Sequence, residues 1–166
     1  MGVISALKMY SFPLILMLAP MFTEWFVDEK LNMCMAKNCC KANREVKSFS
    51  DYAICQSGLA MDQFSCGGGV EHKGMCENIA SKGPSCPKGQ RCIWGPFGFG
   101  FCCDAHNEEV WHKEFNASCT TPLKRVTISN EEMSGDKVLR GKSCTDHFCP
   151  RGSKCVQGRY IAHCCA

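Results

Sequence analysis

Sixteen of the 166 residues are cysteines, and any chemistry this chain performs has to be built around them. A thiol can ligate a metal, act as a nucleophile or oxidise to a disulfide, and spacing helps to separate these uses. Zinc sites favour cysteines two to four residues apart. Cys144-Thr145-Asp146-His147 and Cys34-x4-Cys39 come nearest, and no Cys-x2-Cys occurs. There is no Gly-x-Ser-x-Gly elbow, His-Glu-x-x-His pair or phosphate-cradling glycine loop. Gly67-Gly68-Gly69 precedes no apolar helix and reads as a flexible loop. His72, His106, His112, His147 and His163 are scattered and read as surface imidazoles, and no pair of carboxylates stands out for glycoside hydrolysis. The expectation is a non-enzymatic protein with no metal or other cofactor, whose cysteines are all paired in an oxidising compartment.

The cysteines repeat. Cys86-Pro87-Lys88-Gly89-Gln90-Arg91-Cys92 is followed by nine residues and Cys102-Cys103; Cys149-Pro150-Arg151-Gly152-Ser153-Lys154-Cys155 is followed by eight and Cys164-Cys165. Cys66 and Cys76 precede the first core, and Cys119 and Cys144 precede the second. Recurrence of this detail marks a duplicated module. Proline after a cysteine and glycine two residues on form a turn, which leads into a strand. Val156 to Ala162 reads as a hairpin bending at Gly158, and Ile93 to Phe101 occupies the same place in the first copy.

The pattern C…C…CPxGxxC…CC resembles the lustrin-type cysteine-rich repeat. It is met by Cys66, Cys76, Cys86, Pro87, Gly89, Cys92, Cys102 and Cys103, and again by Cys119, Cys144, Cys149, Pro150, Gly152, Cys155, Cys164 and Cys165. The second copy departs from it in the length of its Cys119–Cys144 loop. The resemblance implies a secreted, extracellular, non-enzymatic role of the kind found in matrix proteins.

The fold class expected is small and disulfide-rich: tandem cysteine-stapled modules with short β-hairpins and little helix, each too small to be held by its apolar core alone. Six cysteines allow 15 connectivities. Neighbouring cysteines seldom bond to each other, and the favoured order is first to fourth, second to fifth, third to sixth, shared by both copies. The segmentation runs as a signal peptide over 1–23, a cysteine-containing N-terminal segment over 24–60, repeat 1 over 61–103, a linker over 104–118 and repeat 2 over 119–166. In the N-terminal segment, excluding a Cys39–Cys40 bond leaves Cys34–Cys39 with Cys40–Cys55, or Cys34–Cys40 with Cys39–Cys55. Val110, Trp111 and Phe115 stand at helical spacing in the linker, with Glu108 and Glu109 early and Lys113 late, as a helix dipole prefers. Val126-Thr127-Ile128 reads as a strand.

The leader has Lys8 followed by an apolar run from Met9 to Phe22, interrupted by Pro13 and Pro20. That run suits a signal peptide and falls short of the roughly 20 residues a spanning helix needs. Cleavage is expected near Thr23. An uncleaved anchor, the competing reading, would have to bury Glu24. A net charge of +3 is too small for nucleic acid or an anionic membrane to be the main partner. The partner expected is an extracellular protein or glycan.

Three further features bear on function. Trp94, Phe97, Phe99 and Phe101 form an aromatic run that either covers the disulfide core or offers a platform to a partner. Asn116-Ala117-Ser118 is a glycosylation triplet. Lys82 to Pro87 resembles the opening of a whey-acidic-protein domain, so a protease inhibitor of that type is the alternative function. Its loop would be Glu77 to Ser85, between Cys76 and Cys86. The eight cysteines of a whey-acidic module are not matched, because none follows Cys103 until Cys119.

Overall fold

The computed structural model describes residues 23–38, 47–60, 65–76, 86–95, 98, 100–128 and 136–166. The predicted signal peptide lies outside them, apart from Thr23. The elements in chain order are strands β1 (Thr23–Asp28), β2 (Met33–Asn38) and β3 (Ser48–Phe49), helix α1 (Tyr52–Gln56), and strands β4 (Ser65–Cys66), β5 (Val70–Glu71), β6 (Met75–Cys76), β7 (Gln90–Trp94) and β8 (Gly100–Asp104). Helix α2 (Ala105–Phe115) follows, then strands β9 (Thr127–Ile128), β10 (Lys137–Val138), β11 (Arg140–Gly141), β12 (Lys154–Gln157) and β13 (Ala162–Cys165). The fold is small, disulfide-rich and built of short strands with, among the described residues, two α-helices, as the cysteine density requires. No helix of the described residues is long and apolar enough to cross a membrane.

Repeat 1 forms a three-stranded sheet ordered β6-β8-β7. Repeat 2 forms its counterpart with β11, β13 and β12, but this sheet does not stop there. It continues through β2 and β1 to β3, giving a six-stranded sheet ordered β12-β13-β11-β2-β1-β3. The N-terminal segment and repeat 2 are therefore one packed body rather than two neighbouring modules.

Small side chains make that seam possible. Ala36, Gly141 and Ala162 stand in one cross-strand row, β2 running parallel to β11 and β13 antiparallel to it. The Phe148 ring lies against Gly141, where an added Cβ would come within 2.5 Å of Phe148 Cδ1. Phe148 is 2% exposed and packs in a core with Trp25, Cys34, Ala36, Cys55, Leu139, Ala162 and Cys164, residues drawn from both ends of the chain. Burying such a ring stabilises a fold by about 1.5–3 kcal/mol. Lys142 Nζ, 2.8 Å from Asp28 Oδ2, ties the loop after β11 to β1.

Helix α2, predicted as part of a linker, joins the two repeats by packing on both. Asp104 caps it, its Oδ1 accepting from the Asn107 amide at 2.8 Å. On the repeat 1 side, Glu108 Oε1 accepts from the Gly67 amide at 2.6 Å and Asn107 Nδ2 donates to the Gly67 carbonyl at 2.8 Å. On the repeat 2 side, the Glu114 carboxylate accepts from the backbone amides of Arg159, Tyr160 and Ile161. The Tyr160 hydroxyl donates to Asn107 Oδ1, and Arg140 donates to the Phe115 carbonyl at 2.8 Å with its guanidinium over the Phe115 ring.

Gly67-Gly68-Gly69, read from sequence as a flexible loop, is the point where α2, the β12–β13 connection and the β1–β2 turn meet. It forms a short 3-10 turn. A Cβ on Gly67 would stand 2.5 Å from Trp111 Cγ, one on Gly68 2.6 Å from Tyr160 Cδ1, and one on Gly69 would strike the Lys30 carbonyl. Gly68 and Gly69 also have φ of 71° and 66°, which glycine adopts without strain. Three glycines in a row answer three separate close approaches.

Seven disulfides are present among the described residues. Cys66–Cys103, Cys76–Cys92 and Cys86–Cys102 staple repeat 1, and Cys119–Cys165, Cys144–Cys155 and Cys149–Cys164 staple repeat 2. The two copies share one connectivity, as expected. Its order corrects the one favoured from sequence: it is first to sixth, second to fourth, third to fifth. The reason is strand geometry. Consecutive strand residues face opposite sides, so Cys102 bonds on one face of β8 and Cys103 on the other, next to β4. The seventh disulfide, Cys34–Cys55, replaces both pairings predicted for the N-terminal segment. Strand β2 and helix α1 pack together and bring these two sulfurs into the core, while Cys39 and Cys40 lie outside the described residues.

Candidate functional site

The best-defined exposed feature is built on the β7–β8 hairpin. The register places Cys92 directly opposite Cys102. Cys92 bonds Cys76 and Cys102 bonds Cys86. Both ends of the Cys76–Cys86 segment are thus fixed to opposed residues of a single hairpin. Glu77 to Ser85, the segment's interior, lies outside the described residues. Gly100 is needed at the centre, since a Cβ there would stand 2.6 Å from Cys92 Sγ and 2.8 Å from Cys76 Sγ.

Trp94, two residues beyond Cys92, shares its face of the sheet. It pairs with Gly100, which pairs in turn with Cys76, so the indole and the Cys76 sulfur flank a position with no side chain. Trp94 is 50% exposed. The opposite face is closed: Phe101 is 6% exposed and packs with Cys66, Cys103 and the partly buried Ile93, and the His72 ring lies tilted against it, centroids 4.8 Å apart. The predicted aromatic run therefore divides. Trp94 faces solvent, Phe101 is core, and Phe97 and Phe99 lie outside the described residues.

The other predicted residues fall elsewhere. Asn116 is exposed at the C-terminal cap of α2, its Nδ2 lying 2.7 Å from His112 Nδ1 and 3.1 Å from the His112 carbonyl oxygen. Beside it the Lys113 ammonium, 2.6 Å from Glu109, holds the Glu109 carboxyl below its ordinary pKa. His163, read from sequence as a surface imidazole, is instead buried in β13, because its position faces the interior between β11 and β12. Burial, and then Arg140 and Arg125, push its pKa down against a smaller upward pull from Glu114, and its Nε2 has no hydrogen-bond partner among the described residues. Burial also lowers the pKa of Arg140 and raises that of Tyr52.

Among the described residues, three clusters bring candidate ligand atoms within metal-ligand reach of one another: Cys76, Cys86 and Cys102; Cys119, His163 and Cys165; Cys66, Cys103 and Glu108. Every one of those cysteines is in a disulfide, and a cystine sulfur is not the thiolate that a metal or a nucleophilic reaction needs. What the arrangement can do is hold a surface rigid for contact. Sequence reasoning missed Gly100 and Glu114. A glycine between two aromatics just before Cys-Cys is the signal for a close approach in a strand.

Comparison with known proteins fixes the family. The chain is 36% identical over 144 residues to a BPTI/Kunitz inhibitor domain-containing protein of Caenorhabditis elegans, covering 86% of this chain and 78% of that one. The chain belongs to that BPTI/Kunitz inhibitor domain-containing family. It is also 28% identical over 149 residues to the major allergen Ani s 1 of Anisakis simplex, covering 85% of this chain and 74% of the allergen. No family profile and no solved structure matches it. The inhibitor type in that relative's name is Kunitz, a different type from the whey-acidic one read from Lys82 to Pro87. Membership in a family of inhibitor-type proteins and the number of disulfides accord with a cysteine-rich, non-enzymatic protein of the extracellular space.

Proposed function

We propose that this protein is a secreted, non-enzymatic binding protein whose partner is an extracellular serine protease, and that it engages the protease through the Trp94 face of repeat 1. One observation carries the reading: the Cys76–Cys92 and Cys86–Cys102 bonds hold both ends of one segment on opposed residues of a hairpin, beside an exposed indole. A protease inhibitor gains affinity when its contact segment is held in advance, because less ordering entropy is lost on binding. Trp is among the residues that most often dominate an interface. Lys82 is the one basic residue between Cys76 and Cys86, which directs the expectation to proteases with an acidic specificity pocket. The lustrin-like spacing is part of the same proposal, as the scaffold that presents this face.

The test titrates the secreted, oxidised chain against trypsin-like, chymotrypsin-like and elastase-like enzymes. Stoichiometric inhibition of a trypsin-like enzyme is expected. It should fall at least tenfold in Trp94→Ala, and be lost when residues 77–85 are replaced by residues 145–148 of repeat 2. Neither inhibition nor binding across the three classes would overturn the proposal.

A further inference from the structure

We infer that Asn116 carries an N-linked glycan, and that this glycan covers the α2 side of repeat 1 while leaving the Trp94 face open. Asn116-Ala117-Ser118 is the sequence's one Asn-x-Ser/Thr triplet, so a single site is at issue. The structure adds three observations to the motif. Asn116 is exposed and ends α2, so a substituent on Nδ2 meets no core residue. A groove of about 480 Å3 opens beside it, lined by Arg91, Glu109, His112, Lys113 and Ser118, polar groups suited to the hydroxyls of a first sugar. The staple next to the triplet is long-range: Cys119 bonds Cys165, 46 residues later, so it closes only after Cys165 has been made.

The chemistry balances with one co-reactant, a lipid-pyrophosphate-linked oligosaccharide. Asn116 Nδ2 forms a bond to the sugar's anomeric carbon, the bond from that carbon to the pyrophosphate oxygen breaks, and the lipid pyrophosphate leaves with the electron pair. The amide gives up one proton to the transferase. One N–H remains on Nδ2, enough to keep the hydrogen bond to the His112 carbonyl oxygen, while the contact with His112 Nδ1 is given up to the sugar.

The open Trp94 face follows from strand alternation. Arg91, at the groove, and Cys92, beneath Trp94, are consecutive residues of β7 and point to opposite sides.

The experiment uses the full chain with its own leader, secreted from a eukaryotic cell and digested for mass spectrometry before and after peptide-N-glycosidase. The Asn116 peptide is expected to carry one glycan, absent from N116Q and retained in S118T. In the deglycosylated protein, Lys113 should acetylate at least threefold faster while oxidation of Trp94 stays unchanged. An unmodified Asn116 in the secreted wild-type chain would overturn the site, and this readout needs no variant to fold. A glycan present at Asn116 together with faster Trp94 oxidation on its removal would overturn the assignment of faces. Neither outcome depends on whether a protease is bound.

Discussion

Repeat 1 and repeat 2 share three disulfides in one order and a three-stranded sheet in one arrangement, and they use that frame differently. In both, the fourth and fifth cysteines oppose each other across the hairpin, Cys92 with Cys102 and Cys155 with Cys164. The segment tethered to them has nine residues in repeat 1 and four in repeat 2. The short one is folded in on itself. Ser143 and Asp146 form a reciprocal cap, His147 turns in the left-handed region, and Phe148 plugs the core. The position of Trp94 is taken in repeat 2 by Gln157, whose Oε1 accepts from the Cys144 amide at 2.8 Å. One copy leaves an indole in solvent where the other ties down its own anchor. The duplicated frame thus separates two tasks: repeat 2 shares its core with the N-terminal segment, and repeat 1 exposes Trp94.

Removing the same disulfide from each copy is the largest way to break this comparison. Cys86–Cys102 and Cys149–Cys164 span 16 and 15 residues, and loops of that size predict a loss of about 3 kcal/mol for either. The reach should differ. Cys164 lies in the core with Trp25 and Ala36, so the Cys149→Ala/Cys164→Ala pair should expose amides in β1 and β2 to hydrogen exchange. The Cys86→Ala/Cys102→Ala pair should leave those amides protected. Equal protection of β1 and β2 in both variants would show that the shared core does not couple them.

A smaller effect sharpens the seam itself. Gly141→Ala places a methyl group against the Phe148 ring in the row Ala36–Gly141–Ala162. Overpacking of this kind costs about 1–3 kcal/mol. Gly89→Ala in repeat 1 meets no neighbour, but its φ of 83° makes it a control for backbone strain alone. A lowered melting temperature for Gly141→Ala that Phe148→Leu partly restores would place the fault in the ring contact. A melting temperature equal to wild type would remove the steric account.

The local parts of this architecture were legible in the sequence. The repeat spacing, the hairpin bending at Gly158, the helix carrying Val110, Trp111 and Phe115, and the strand at Thr127 each follow from a few neighbouring residues. What joins them was not. The parallel contact of β2 with β11 rests on Ala36 and Gly141, more than 100 residues apart, and small residues leave no periodic signal. The glycine triplet looked loose because glycine licenses both flexibility and close approach, and only Trp111, Tyr160 and Lys30 show which. For the candidate site, the sequence marked the aromatic run and the Cys76–Cys86 segment. It could not show that Trp94 and Phe101 face opposite ways, which depends on the pairing of β7 with β8.

The smallest expected effect is a slope with pH, and it comes from one substitution between the repeats. Phe101 in β8 corresponds to His163 in β13, two residues before the final cysteine in each copy, and both are buried. A phenyl ring is indifferent to pH. The imidazole is held below its ordinary pKa by burial first, then by Arg140 and Arg125, with Glu114 opposing. An unfolded His163 would titrate near the ordinary value of about 6.5. Below that value and down to the lower folded pKa, the unfolded chain binds more protons than the folded one, so stability falls as pH falls. Above about 6.5 both states are neutral at this residue and its contribution is flat. Denaturant titrations at pH 7.5 and at several steps below 6.5 should show this decline, and His163→Phe should flatten it. An unchanged slope in His163→Phe would assign the acid sensitivity to other groups.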